Sequence, residues 1–216
     1  MLNFENLDKF NFISTGDYDL PMLDEMLINY DVENLKQTQW IPFNYVLSTK
    51  EEDKAGKGVH FFVDDYQFIR VWNNPDKYLD KLKGFDYVLT PDFSTYTDMP
   101  KALQIYNMYR KQWLGCYWQM HGIKVIPTVS WSTADNHNWI FEGIPKNSIV
   151  AVSTVGCMQN KDFREKFFEG CRKAIQVLEP NIILCYGSIP DRFKNSVIEI
   201  GHFSKEMQKR ILKNGR

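Results

Sequence analysis

With 216 residues, 44% of them hydrophobic and 25% charged, the chain has material for one substantial core and is too apolar for a disordered segment. Its 26 basic residues against 27 acidic ones leave a net charge of −1. That balance argues against broad capture of nucleic acid, which draws on a clear basic excess.

The chain from Met1 to Asp8 is acidic and has no basic region ahead of an apolar run, so it does not read as a secretory signal. There is no uninterrupted apolar run of about 18 residues, so no transmembrane helix and no membrane partner are expected. The expected compartment is the cytoplasm. Residues 1–42 are the least regular part and are expected to pack on the domain as an N-terminal segment. Pro21 opens a short helix from Met22 to Tyr30. Gln39 to Ser48 reads as extended, with Val46 and Leu47 able to begin the sheet. Lys50 to Gly58 is charged and Gly-bearing, which predicts a surface loop.

Val59 to Val63 is a strand that ends in Asp64 and Asp65. Asn73, Asn74, Pro75 and Asp76 start a helix, because Asn caps, Pro suits the first turn and Asp favours the positive dipole end. Gly84 stops it. From Phe85 to Ser188 strands and helices alternate. Asp86 to Thr90 is a strand, Pro100 to His121 a helix and Lys124 to Ser130 a strand. Ser148 to Thr154 follows as a strand, Lys161 to Leu178 as a helix and Asn181 to Tyr186 as a strand. Such alternation marks a parallel sheet covered by helices. On the first helix Ala102, Tyr106, Tyr109, Trp113, Tyr117 and Met120 form one stripe at steps of three and four, read as the face that packs on the sheet. Trp131 to Pro145 is an elaborated loop with room for a short helix near Trp139 and Phe141. Residues 189–216 form an extension, with a strand at Val197 to Ile200 and a helix from Ser204 to Leu212.

Cys116 and Cys171 fall in helices, Cys185 in a strand and Cys157 just after one. None belongs to a C-x-x-C pair, and the four histidines lack ligand spacing, so no metal set is assigned and the cofactor is left unknown. Reduced thiols packed as small hydrophobes are the expectation.

A parallel sheet places its site at the carboxyl ends of its strands. There the sequence puts Asp64, Asp65, Asp92, Ser130, Trp131, Ser132, Gly156, Cys157, Tyr186, Gly187 and Ser188. Asp92 with Asp64 or Asp65 suits general acid–base work or a divalent cation, against the plainer role of bracing turns. Trp131 suits stacking of a sugar or base, or capping of the core. Gly156 and Gly187, beside a helix N-terminus, suit a phosphate or tight turns. Cys157 is a nucleophile candidate without a histidine placed to activate it, and His137 is the histidine best placed for acid–base work.

Phe85 to Ser94 followed by Gly122 to Trp131 resembles an uncharacterised family, domain of unknown function 4417. Trp139 to Pro145, Ser153 to Cys157 and Ile183 to Gly187 are similar to its other landmarks. Its members recur in phages, plasmids and conjugative elements of low-GC Gram-positive bacteria, which implies an accessory role in a mobile element. The resemblance supplies no catalytic residue.

The expected fold is therefore α/β in a single domain over 1–216. It is TIM-barrel-like or a partly closed β/α arrangement of about six or seven mainly parallel strands, with an open doubly wound sheet as the alternative. The expected function is an enzyme, or enzyme-derived domain, that binds a small polar or phosphorylated ligand at the strand ends. The alternative is a non-catalytic protein that binds a host or defence protein.

Overall fold

The computed structural model describes residues 5–9, 11–25, 31–188 and 197–200. An antiparallel hairpin pairs β1 (Ser14–Thr15) with β2 (Leu20–Pro21). α1 (Val32–Gln37) follows, capped by Asp31, whose side chain accepts from the Glu33 N–H. β3 (Gln39–Pro42), β4 (Lys57–His60), β5 (Tyr87–Leu89) and β6 (Val125–Ile126) form a four-stranded parallel sheet in that order. β7 (Ile149–Ser153), β8 (Ile182–Tyr186) and β9 (Val197–Ile200) form a three-stranded parallel sheet. Beyond β6, Thr128 bridges in parallel to Ala151. The Val129 N–H donates to the Ala151 carbonyl at 2.7 Å, and the Ala151 N–H to the Pro127 carbonyl at 2.8 Å. The exit of β6 therefore runs beside β7, and neighbours follow chain order from β3 to β9.

The helices begin and end where local chemistry dictates. α2 (Asp65–Asn73) leads into α3 (Pro75–Leu82), which is capped by Asn74 accepting from the Lys77 N–H at 3.3 Å, with Pro75 in its first turn. α4 (Lys101–Met120) joins β5 to β6. α5 (Lys161–Leu178) is capped by Asn160 and ends at Glu179, which turns left-handed (φ 47°) just before Pro180. No helix among the described residues is long and apolar enough to cross a membrane.

Strand side chains alternate between two buried faces, as they do when a parallel sheet is covered on both sides. Val88 and Val125 join a helix-side cluster with Phe68, Trp72, Leu82 and Trp118. Val150, Val152, Ile183 and Cys185 join a second one with Ala174, Leu178 and Trp139. The intervening residues Trp40, Tyr87, Leu89, Ile126, Ile149, Ala151, Leu184, Tyr186 and Ile200 pack together on the other face.

Several local expectations are corrected. The chain over Phe43–Ser48 is a 3-10 helix, so instead of starting the sheet Val46 packs into the helix-side cluster and Leu47 is exposed. The polar stretch after Lys50 is anchored inward: Lys54 is buried, pairs with Glu51 at 2.8 Å and donates to the Lys83 carbonyl at 2.9 Å. β4 begins at Lys57 and ends at His60, earlier than the pattern implied. Met22 to Glu25 is not helical, and Met26 to Tyr30 lies outside the described residues, as does the expected helix from Ser204. The short helical turn of the long loop falls at Ala134–Asn136, ahead of Trp139.

The aromatic stripe of α4 meets its neighbouring helices. Trp72 of α2 packs edge-on against Tyr106, Tyr109 and Trp113, and the Tyr117 hydroxyl donates to Asp76 of α3 at 2.5 Å. Ala102 and Met120, at the ends of the stripe, are exposed. The most enclosed line runs instead through Gln104, Met108, Lys111, Gly115 and Trp118. At Gly115 a Cβ would lie 2.5 Å from Leu23 Cδ2 and 2.8 Å from Thr90 Cγ2, so helix and sheet approach too closely for any side chain.

Gly115→Ala tests that packing. Helix propensity alone favours Ala by about 1 kcal/mol, whereas overpacking costs about 1–3 kcal/mol. Calorimetry is expected to show a lower melting temperature. An equal or higher value would mean that Leu23 yields freely.

Candidate functional site

Four polar side chains of α4 are buried, and each bonds to chain leaving the sheet, though Gln112 Oε1 has no partner among the described residues. Gln104 donates to the Tyr96 and Met99 carbonyls (3.3 and 2.8 Å) and accepts from Asn136 at 3.2 Å. Asn107 donates to the Ser94 carbonyl at 2.6 Å, and Gln112 to the Glu142 carbonyl at 2.5 Å. Lys111, 1% exposed, sends its ammonium to Asp92 Oδ1 at 3.2 Å and to Ser130 Oγ at 2.6 Å. Asp92 stands just past β5 and Ser130 just past the Thr128 bridge. One helix thus positions the loops that leave two adjacent strands.

Asp92 keeps 24% of its side chain accessible. Burial pushes its carboxyl above the ordinary value of 3.8, and the nearby Asp65 charge adds to this. The Lys111 charge and the hydrogen bonds from Lys111 and Ser130 oppose the rise. Burial likewise lowers the Lys111 ammonium, against the pull of Asp92. The pair is held by mutual attraction in a place that disfavours both charges.

Asp92, Ser130, Trp131 and Cys157 line one cavity of about 220 Å³, together with Ser94, Tyr96, Ser153 and Phe167. Asp65 stands behind Ser94, whose N–H and hydroxyl it accepts at 3.1 and 2.9 Å. It therefore braces the turn after β5. Asp64 occupies the cap position of α2 without a side-chain capping bond. The Cys157 thiol is pushed up by burial and then by the Asp92 charge, which disfavours a thiolate.

The other expected residues stand apart from this cavity. Tyr186 faces the inner cluster, stacked on Phe62 at 5.1 Å and lying 4.5 Å from the His60 ring. Gly187 adopts φ 106° with the Thr154 hydroxyl where a Cβ would sit, and Thr154 Oγ1 donates to the Ser188 carbonyl at 3.1 Å. Around Gly156, the Val155 N–H donates to Ser153 Oγ and the Cys157 N–H to the Thr154 carbonyl. The Asp162 N–H, in the first turn of α5, is taken by Asn160. Three amides of this connection are thereby engaged within the chain. Ser132 is buried, and its hydroxyl has no partner among the described residues. His137 lines a different cavity of about 540 Å³, beside Glu142 and Lys173, and burial lowers its pKa. Among the described residues no group of three or more His, Cys, Asp and Glu is placed to hold a metal ion.

Lys111 is the site residue that sequence reasoning missed. Its signal was the second period of α4, through Gln104, Met108, Lys111, Gly115 and Trp118, which a count of apolar residues passes over.

A profile of the family described as Domain of unknown function (DUF4417) matches residues 14–204. The chain is similar to the Gene 1 protein of Mycobacterium phage L5, 40% identical over 175 residues, which cover 79% of this chain and 76% of that protein. It is similar to the Gene 1 protein of Mycobacterium phage D29, 35% identical over 165 residues, which cover 74% of this chain and 61% of that protein. It thus spans less than two thirds of the second relative. No solved structure matches it.

Two measurements probe the ion pair. Lys111→Met strands a carboxylate and is expected to cost about 3 kcal/mol in urea unfolding, the low end for a pair with one partner partly accessible. Adding Asp92→Leu is expected to recover most of that loss, and a double variant no more stable than the single would refute the pairing. Carbon-detected NMR is expected to show Asp92 titrating above its ordinary value, and Ser130→Ala to raise it further by removing a hydrogen bond to the charged form. Since the folded chain holds this proton more tightly than the unfolded chain, its stabilising contribution is full below pH 3.8. That contribution is lost as pH rises through the folded value, and Asp92→Asn flattens this part of the stability curve.

Proposed function

The chain belongs to the family described as Domain of unknown function (DUF4417), and on that premise we propose an enzyme, or enzyme-derived domain, that binds a small polar ligand at the carboxyl ends of its parallel strands. The observation that carries this reading is Asp92: a carboxylate held by a buried lysine and a serine on the wall of a cavity. A carboxyl raised by burial beside a fixed cation is the kind of group that exchanges protons with a bound ligand. In this role Asp92 is the acid–base group, Lys111 and Ser130 position it, and Ser94, Ser153 and Trp131 contact the ligand. A phosphorylated ligand is the weaker form of the proposal, because the described lining of the cavity holds no lysine or arginine.

The same reading takes β3 to β9 as a partly closed β/α barrel of TIM-barrel type. The chain-order neighbours support it. So does Tyr186 of β8 meeting His60 of β4 and Phe62 just beyond it, a contact between strands that are not neighbours. We take 1–216 as a single domain, with residues 1–42 packed on it and 189–216 as an extension. The free cysteines Cys116, Cys157, Cys171 and Cys185 support a reducing compartment, the cytoplasm. The relatives named above come from phages of mycobacteria. An accessory role in a mobile element, including those of low-GC Gram-positive bacteria, remains part of the proposal.

A second reading, a non-catalytic protein that binds a host or defence protein, is favoured by exposed Tyr66, Tyr96, Val155 and Phe163. All four stand on chain that leaves the same strand ends, and exposed aromatics serve as anchors at interfaces.

Mass spectrometry of small molecules released from purified protein, wild type beside Asp92→Asn, tests the first reading. A compound retained by the wild type and lost from the folded variant is expected. Full function of a folded Asp92→Asn chain during infection would contradict the acid–base role and favour the protein-binding one.

A further inference from the structure

Trp131 is seated on a glycine. A Cβ built at Gly170, in the middle of α5, would fall on the indole atoms Cδ1, Nε1 and Cγ. Phe167, one turn earlier, packs against the same indole at 5.2 Å with the planes tilted by 44°. Gly in a helix interior costs about 0.5–1 kcal/mol relative to Ala, and here its missing side chain is the space the indole fills. The helix thereby fixes one side of the ring, while the half-buried indole also lines the cavity.

The rest of the lining narrows what such a platform can hold. Ser94, Thr95, Tyr96, Ser130 and Ser153 bring hydroxyls to the lining. Of these, Ser94 already donates to Asp65, and Ser130 and Ser153 already accept from Lys111 and the Val155 N–H, so these three offer only their remaining lone pairs or proton. The carboxylate of Asp92 is paired with Lys111. Among the described lining residues there is no Lys, Arg, Asn or Gln. A phosphate would meet no free cation, and a nucleobase edge would meet none of the amide or guanidinium forks that read it bidentately. A pyranose ring offers the matching chemistry, with an apolar C–H face for the indole and hydroxyls for a rim of hydroxyls. At about 30 Å³ per water, the 220 Å³ cavity displaces about seven waters, a volume for one ring. Tyr96, 64% exposed, also lines the cavity.

We infer that the cavity takes a neutral saccharide ring stacked on Trp131, with Gly170 as the positioning residue for that platform. The inference rests on the proposed ligand site at the strand ends and names its ligand class.

Saturation-transfer NMR on the full chain tests it with maltose, cellobiose and N,N′-diacetylchitobiose as probes, with adenosine and cytidine beside them and with inorganic phosphate added as a competitor. Transfer to at least one disaccharide is expected. Trp131→Phe should retain it, and Trp131→Ala should weaken binding roughly tenfold, within the range for loss of one aromatic stack. Gly170→Ala should weaken it without touching the ligand, and thermal unfolding checks that each variant is folded. Should Trp131→Ala fail to fold, Trp131→Phe and Gly170→Ala carry the test. No transfer to any of the disaccharides, or transfer unaffected by Gly170→Ala and by Trp131→Ala, overturns the inference. Trp131-dependent transfer to a nucleoside in place of the sugars overturns the saccharide class while leaving the ligand site standing.

Discussion

A lysine ammonium with 1% exposure is the constraint around which the sheet's outgoing edge is arranged. Such a charge is stable inside a protein only when paired and hydrogen-bonded. Lys111 meets that need with Asp92 from the exit of β5 and Ser130 from the exit of β6. Thr90 and Thr128 already join the two exits by a pair of 2.8 Å hydrogen bonds, and Lys111 adds a buried charge that fixes both loops just beyond that junction. Gln104, Asn107 and Gln112 act likewise, each tying a carbonyl of a connecting segment to the buried side of α4. Burial of polar groups thus gives the edge its order, and order is what a binding site requires. Replacing such a pair with apolar residues is often neutral or stabilising, so its presence here fits a functional use of Asp92.

The apolar core explains where that edge lies. Strict alternation along β5, β7 and β8 sends one set of side chains to the helices and the other to the inner cluster. With both faces filled, polar chemistry is left to the strand ends. Gly115 and Gly170 serve this plan at two contacts. The first lets α4 approach the sheet near Thr90, and the second lets α5 receive Trp131.

Much of this was legible in the residues. Asn74 with Pro75, and Asn160 with Pro180, mark the bounds of α3 and α5 through local chemistry, and the near-continuous apolar runs of β7 and β8 declare strands buried on both faces. α2 was missed because Asp65 to Asn73 mixes exposed Tyr66 with buried Phe68, Val71 and Trp72 over only two and a half turns. The α4 stripe was seen but assigned to the sheet, since periodicity reveals a face without revealing its neighbour. Among the site residues, Asp92, Ser130, Trp131 and Cys157 line one cavity, while His137 lies elsewhere because the loop after Trp131 turns back toward the far end of α5. Lys111 stayed hidden because its pairing depends on two segments nearly twenty residues away in opposite directions along the chain.

The central claim is that the space between Asp92, Ser130 and Trp131 is a ligand site held open by Lys111. A crystal structure of the protein purified from its native host tests this most directly. The account predicts ordered ligand density in that space, in contact with the Asp92 carboxylate and the Trp131 ring. Closure of the space by Phe167 or Tyr96, with the ligand instead in the cavity beside His137, would contradict it.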